Sequence, residues 1–130
     1  MNAVTVGGPG LVAVGHDEPD ALAAMGGIRA AVWTSPDGLA WARVPHDDGL
    51  FGGSASDERS MSGIVGIDAG LVAVGNGIWT SSDGFAWSRP VASVHGAVED
   101  LGSVTALGLR LVAVGGVGDA PAVWIGLPPE

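Results

Sequence analysis

The chain of 130 residues carries 14 acids against 5 bases, a formal charge of −9, no Cys and no Tyr. Phosphate recognition draws on clustered Lys and Arg; the bases here are Arg29, Arg43, Arg59, Arg89 and Arg110, scattered and without a single Lys, which argues against nucleic acid and anionic membrane surfaces and leaves a neutral sugar, a metal cation or a basic protein patch as suitable partners. Without Cys there are no disulfides, no Cys-ligated zinc and no thiol nucleophile, and no apolar run reaches the roughly 20 residues of a membrane-spanning helix.

Short alternating runs rich in Val, Ile and Trp, bounded by glycine, are strand signals. The opening MNAVTVGGPG lacks the positive n-region and apolar stretch of a signal peptide. Strands are predicted at Val4–Gly7, Leu11–Gly15, Ala31–Ser35 and Ala40–Val44. His16–Ala30 is expected to be a long connection with at most two turns of helix over Pro19–Met25, where Pro stands near the first turn and Gly26 acts as a stop. A second long connection, Pro45–Ser60, leads to strands at Gly63–Asp68, Leu71–Gly75, Gly77–Ser81 and Ala86–Val91. Their turns are Asp68-Ala69-Gly70, Asn76-Gly77 and Ser82-Asp83-Gly84, and the Asn-Gly and Asp-Gly of the last two are the dipeptides favoured where a hairpin needs positive φ. After a third connection, Ala92–Gly102, come strands at Ser103–Leu107, Leu111–Gly115 and Ala122–Gly126. The prolines of the tail, Pro128 and Pro129, stop any further strand, and the tail is expected to be a true terminus.

The pieces recur. LVAVG stands at Leu11–Gly15, Leu71–Gly75 and Leu111–Gly115, and Trp33, Trp79 and Trp124 are spaced by 46 and then 45 residues. A period in the forties, made of short strands and tight turns, is that of a propeller blade. The expected fold is all-β: antiparallel blades of a β-propeller, three blades of four, four and three strands in an incomplete ring. They form a single domain over residues 1–130, with blades at about 3–45, 61–91 and 102–127.

Ser35-Pro36-Asp37-Gly38-Leu39-Ala40-Trp41 and Ser81-Ser82-Asp83-Gly84-Phe85-Ala86-Trp87 resemble the Asp-box, or BNR repeat, of sialidase-like β-propellers, whose usual form is Ser-x-Asp-x-Gly-x-Thr-Trp. Both copies depart from it alike, with one residue fewer between Asp and Trp and Ala in place of Thr. The third unit lacks the box, since Trp124 is followed by Ile125-Gly126-Leu127. The resemblance implies a fold rather than an activity, and relatives with the repeat are often secreted. Physically, Asp37 and Asp83 are expected to accept hydrogen bonds from turn amides, Gly38 and Gly84 to take the left-handed conformation, and Trp41 and Trp87 to cover the turn. Arg43 and Arg89 follow those Trp residues by two, on the same face of a period-2 strand; their recurrence favours stacking on indole over a substrate clamp. Sialidase activity is excluded, because that class uses a Tyr nucleophile and the chain has no Tyr.

In a propeller the b–c and d–a connections emerge on one face. That places His16, Asp17, Glu18, Asp20, His46, Asp47, Asp48, Asp57, Glu58, Arg59, His95, Glu99 and Asp100 together, on long loops of the kind that carry binding. A His/Asp metal site is chemically suitable there, but no spacing matches a ligand pattern and Asp47-Asp48-Gly49 lacks the alternation of a calcium loop. The residues leave the metal assignment open, and no cofactor is expected. The expected function is a non-catalytic binding or scaffold module taking a glycan or a protein on this face, without nucleic acid or membrane insertion. A glycoside hydrolase using loop carboxylates is the second reading, and a truncated piece of a larger propeller with no function of its own is the third. Open flanks expose apolar faces and strand edges, which favours self-association. Ala122–Gly126 is expected to be such an edge, unless Val4–Gly7 pairs with it and closes the ring.

Overall fold

A computed structural model describes residues 1–17, 26–45, 47–54, 59–67, 70–88, 100–107, 110–117 and 120–126. In chain order the elements are β1 (Ala3–Gly7), β2 (Gly10–Asp17), β3 (Gly26–Ser35), β4 (Ala42–Arg43), α1 (Asp48–Phe51), β5 (Gly52–Ser54), β6 (Met61–Ile67), β7 (Gly70–Gly75), β8 (Ile78–Ser81), β9 (Trp87–Ser88), β10 (Asp100–Leu107), β11 (Arg110–Val117) and β12 (Ala120–Gly126). They form three antiparallel sheets: β1-β2-β3-β4 with β5 added to β3, then β6-β7-β8-β9, then β10-β11-β12. The class is all-β, and the three sheets follow the three sequence units.

Alternation within LVAVG explains how the sheets stack. Successive side chains of a strand point to opposite faces, so β7 serves two neighbours. Leu71 and Ala73, with Met61, Ile64, Trp79 and Trp87 of the same sheet, are buried against Val12, Val14, Ala30 and Val32 of the first sheet and Val44 and Phe51 of the segment after β4. Val72 and Val74 turn the other way and meet Leu101, Val104, Leu111 and Ala113 of the third. Each fully buried Val or Leu adds about 1.5–3 kcal/mol of apolar burial, so the middle sheet is the one most firmly held. The leading strands stack in sequence, β1 against β6 and β6 against β10, and no comparable packing joins β1 to β10 among the described residues. β1 pairs with β2 and β12 ends the third sheet, so the alternative pairing of Val4–Gly7 with Ala122–Gly126 does not occur.

Several boundaries differ from the sequence reading, each for a local reason. His16–Ala30 is not loop throughout, because β2 runs on to Asp17 and β3 begins at Gly26. His16 lies opposite Ala30, and Asp17 opposite Arg29. Charged residues suggested a loop, yet an opposite-charge pair facing across two strands satisfies itself. Pro45–Ser60 contains α1 and β5, the helix turning where the amides of Leu50 and Phe51 donate to the Asp47 carbonyl. Buried Phe51 anchors this segment. Asp100, also placed on a loop, opens β10 opposite Gly116. β4 is shorter than Ala40–Val44 because the turn before it captures Ala40 and Trp41, although the Val44 amide still donates to Val32 O at 2.9 Å. The helical reading of Pro19–Met25, the Asp68-Ala69 part of its turn and the strand end Arg89–Val91 lie outside the described residues.

Candidate functional site

The two Ser-x-Asp-Gly turns are near copies. Ser35 Oγ accepts from the Gly38 amide at 2.7 Å, and Asp37 Oδ1 accepts from the amides of Leu39 at 2.9 Å and Ala40 at 3.2 Å. In the second copy Ser81 Oγ accepts from Gly84 at 2.8 Å, and Asp83 Oδ1 from Phe85 at 2.9 Å and Ala86 at 3.0 Å. The indole Nε1 of Trp41 donates to Gly38 O at 3.1 Å and that of Trp87 to Gly84 O at 2.9 Å. Gly38 and Gly84 sit at φ 86° and 90°, where a side chain would be strained. Ser35, Asp37, Gly38, Trp41 and Ser81, Asp83, Gly84, Trp87 are thus taken up by closing their own turns.

Those bonds set an acid response. The Leu39 and Ala40 amides hold the Asp37 carboxyl below the ordinary Asp range, and the Ala86 and Phe85 amides do the same for Asp83. For Asp17 partial burial opposes ionisation, but hydrogen bonds from Arg29 and Arg43 outweigh it and the net shift is again downward. A carboxyl whose pKa is lower in the folded than in the unfolded chain binds fewer protons when folded. Its stabilisation is therefore complete above the unfolded value, about pH 4, and is lost as pH falls through the folded value. The melting temperature should be flat from about pH 7 to 5 and fall below about pH 4. In Asp83→Asn, which keeps an acceptor oxygen but does not titrate, the acid limb should be shallower; an unchanged limb in differential scanning calorimetry would remove Asp83 from this account.

The end of the first sheet where β2 exits and β3 enters holds most of the described candidates. Arg29 Nε reaches Asp17 Oδ1 at 2.6 Å and Arg43 Nη1 reaches Asp17 Oδ2 at 2.5 Å, so both carboxylate oxygens are engaged. Arg43 also lies over Trp33, its cross-strand partner, 5.4 Å from the ring centroid. The stacking expected for Arg43 therefore occurs, but on Trp33 rather than Trp41, because Trp41 lies in the turn and β4 starts only at Ala42. Arg89 lies outside the described residues. His16 Nδ1 stands 3.3 Å from Asn2 Nδ2, which also donates to Met61 O at 3.0 Å.

Arg59 braces the first two sheets: its amide donates to Ile28 O at 2.9 Å and its Nη1 to Asn76 O at 2.7 Å. Asn76 Oδ1 in turn accepts from the Ser60 amide at 3.0 Å. Asp47 begins the turn into α1 through its carbonyl. Asp48 opens α1 and Asp100 opens β10. Glu18, Asp20, His46, Asp57, Glu58, His95 and Glu99 lie outside the described residues. Among the described residues no three His, Asp or Glu side chains converge as a metal site would require.

At the opposite end of the sheets the Gly8-Pro9 turn leans on the Ser82-Asp83-Gly84 turn, and a shallow groove of about 680 Å³ opens beside Phe85, Asp83, Pro9 and Ile67. A Cβ on Gly84 would sit 3.3 Å from Pro9 Cδ, which shows how closely the two turns approach. Sequence reasoning missed this groove. Its signal is the apolar residue after the turn glycine, Phe85, which lines the groove and is 55% exposed; the equivalent Leu39 of the first copy is 88% exposed and lies outside the groove. No family model, curated protein or solved structure matches the chain.

Proposed function

We propose that the chain is a non-catalytic binding or scaffold module, an incomplete Asp-box-type β-propeller whose three sheets are its blades. Its ligand, a glycan or a protein, binds at the end formed by the β2 exit, the β3 entry, α1 and β5. The observation that carries this reading is the internal use of the repeated polar residues. Asp37, Asp83 and the indoles of Trp41 and Trp87 bond to their own turns, so the repeat supplies scaffold and no free catalytic group. α1 and β5, which have no counterpart among the described residues of the other two sheets, both join the first sheet at the end where β2 runs on to Asp17 and β3 begins. Rigid sheets that present one elaborated end are the usual arrangement of binding modules.

The test is retention on an array of immobilised neutral oligosaccharides, run beside turnover of aryl glycosides. Binding should fall about tenfold in His16→Ala and Asp47→Ala and stay unchanged in Phe85→Ala. Loss confined to Phe85→Ala would move the ligand to the turn-side groove, and turnover with wild-type protein would overturn the non-catalytic reading. Absence of retention on every sugar would leave a protein as the ligand class.

A further inference from the structure

We infer that two copies of this chain associate head to tail, the outer face of the third sheet in one copy seating on the outer face of the first sheet in the other. The chain itself contains the template. Register makes Val4, Ile64 and Val104 equivalent, each lying opposite the Ala of its LVAVG run. Ile64 and Val104 are 9% exposed because another sheet covers them, whereas Val4 is 58% exposed. On the opposite face Val14 and Val74 are 0% exposed, whereas their equivalent Val114 is 47% exposed. The same asymmetry separates buried Trp79 from half-buried Trp33 and buried Leu71 from half-buried Leu11.

Among the described residues each terminal sheet thus lacks one neighbour, and the two open faces are of opposite kinds. Inside the chain the Val/Val face of one sheet meets the Leu/Ala face of the next, with Val14 and Ile64 in one core and Val74 and Val104 in the other. Val114 of one copy and Val4 of another are the same pair across a new junction. On the first sheet Asp17, Arg29 and Arg43 share the outer face with Leu11 and Trp33 and form a charged border to its apolar centre, the arrangement of apolar middle and polar rim found at protein interfaces. A heterologous contact of this kind either closes a ring or runs on as a filament. The proposed blade reading supplies closure, since two copies of three sheets give six blades, within the roughly four to eight of known propellers. The pairing of faces rests on the sheets alone; only closure rests on that reading.

The experiment is sedimentation at about 100 μM in about 0.15 M salt, which screens the charge of −9 on each copy. Wild-type protein should run as a two-copy species. Val4→Asp and Val114→Arg, both on exposed positions and both checked for folding by circular dichroism, should each weaken self-association about a hundredfold and run as monomers. Mixed in equal amounts they should regain the two-copy species, because one junction is then native and the other joins Asp to Arg. A folded wild-type monomer, a variant that still pairs with itself, or a mixture that stays monomeric would each overturn the docking and leave the blade reading untouched. Growth beyond two copies would overturn closure, and with it the curvature assumed for the blades.

Discussion

Trp79→Ala should leave the chain largely unfolded, with a loss of about 3–5 kcal/mol from the missing indole. Trp79 is fully buried in the core shared by the first and second sheets, among Val32, Val44, Phe51 and Leu71. Its Nε1 also donates to Leu50 O at 2.6 Å, joining β8 to α1 across sheets. Truncation opens a cavity and leaves the Leu50 carbonyl without that donor, which adds about 1–3 kcal/mol where water cannot replace it. Domains have only about 5–15 kcal/mol in total. Trp79→Phe separates the two effects, keeping most of the ring contact while removing the donor, and should cost about 1–3 kcal/mol. Urea unfolding monitored by far-ultraviolet circular dichroism measures both, and a loss below about 1 kcal/mol in Trp79→Ala would contradict the packing described. Because the indole fixes α1, Trp79→Phe should also speed amide exchange at Leu50 and Phe51, whose amides bond to Asp47 O.

What the sequence disclosed follows from how local each interaction is. LVAVG announces strands because period-2 alternation is a property of neighbouring residues, and its threefold recurrence announces three sheets. The turns at Ser35–Trp41 and Ser81–Trp87 were readable down to the bonding of Asp and Gly, since every partner lies within three residues. Long-range partners were not readable. Taken singly, Asp17 and Arg29 are residues of a loop; their pairing across β2 and β3 neutralises both and lets the strands extend. Sequence spacing relates Arg43 to the indole two positions before it, whereas the ring it lies over is that of its cross-strand partner, Trp33. β5 is Gly-Gly-Ser, with no strand signal of its own, and is a strand only because the exposed edge of β3 accepts it. At the candidate site the same distinction holds: composition grouped the acids and histidines by connection, but salt bridging of Asp17 and bracing by Arg59 depend on chain segments far apart in sequence.

The repeat alone implies that Trp41 and Trp87 matter equally; the stacking of the sheets implies that they do not. Trp87→Ala should cost about 3–5 kcal/mol, because its ring is buried in the core against the first sheet. Trp41 makes the same bond to its turn glycine, 3.1 Å against 2.9 Å, but among the described residues no sheet precedes its own, and it is only half buried. Trp41→Ala should therefore cost about 1–2 kcal/mol in a dilute sample, since much of the ring already faces water and leaves no closed cavity when removed. Equal losses for the two variants at low concentration would contradict this account of the stacking. Concentration then links stability to assembly. If a second copy covers the outer face of the first sheet, Trp41 gains the neighbour that Trp87 already has. Raising the protein from about 1 μM to about 100 μM should then stabilise wild type more than Trp41→Ala by mass action, and the gap between the two Trp variants should narrow. A gap independent of concentration would place Trp41 outside the junction and confine the contact to the edge marked by Val4 and Leu11.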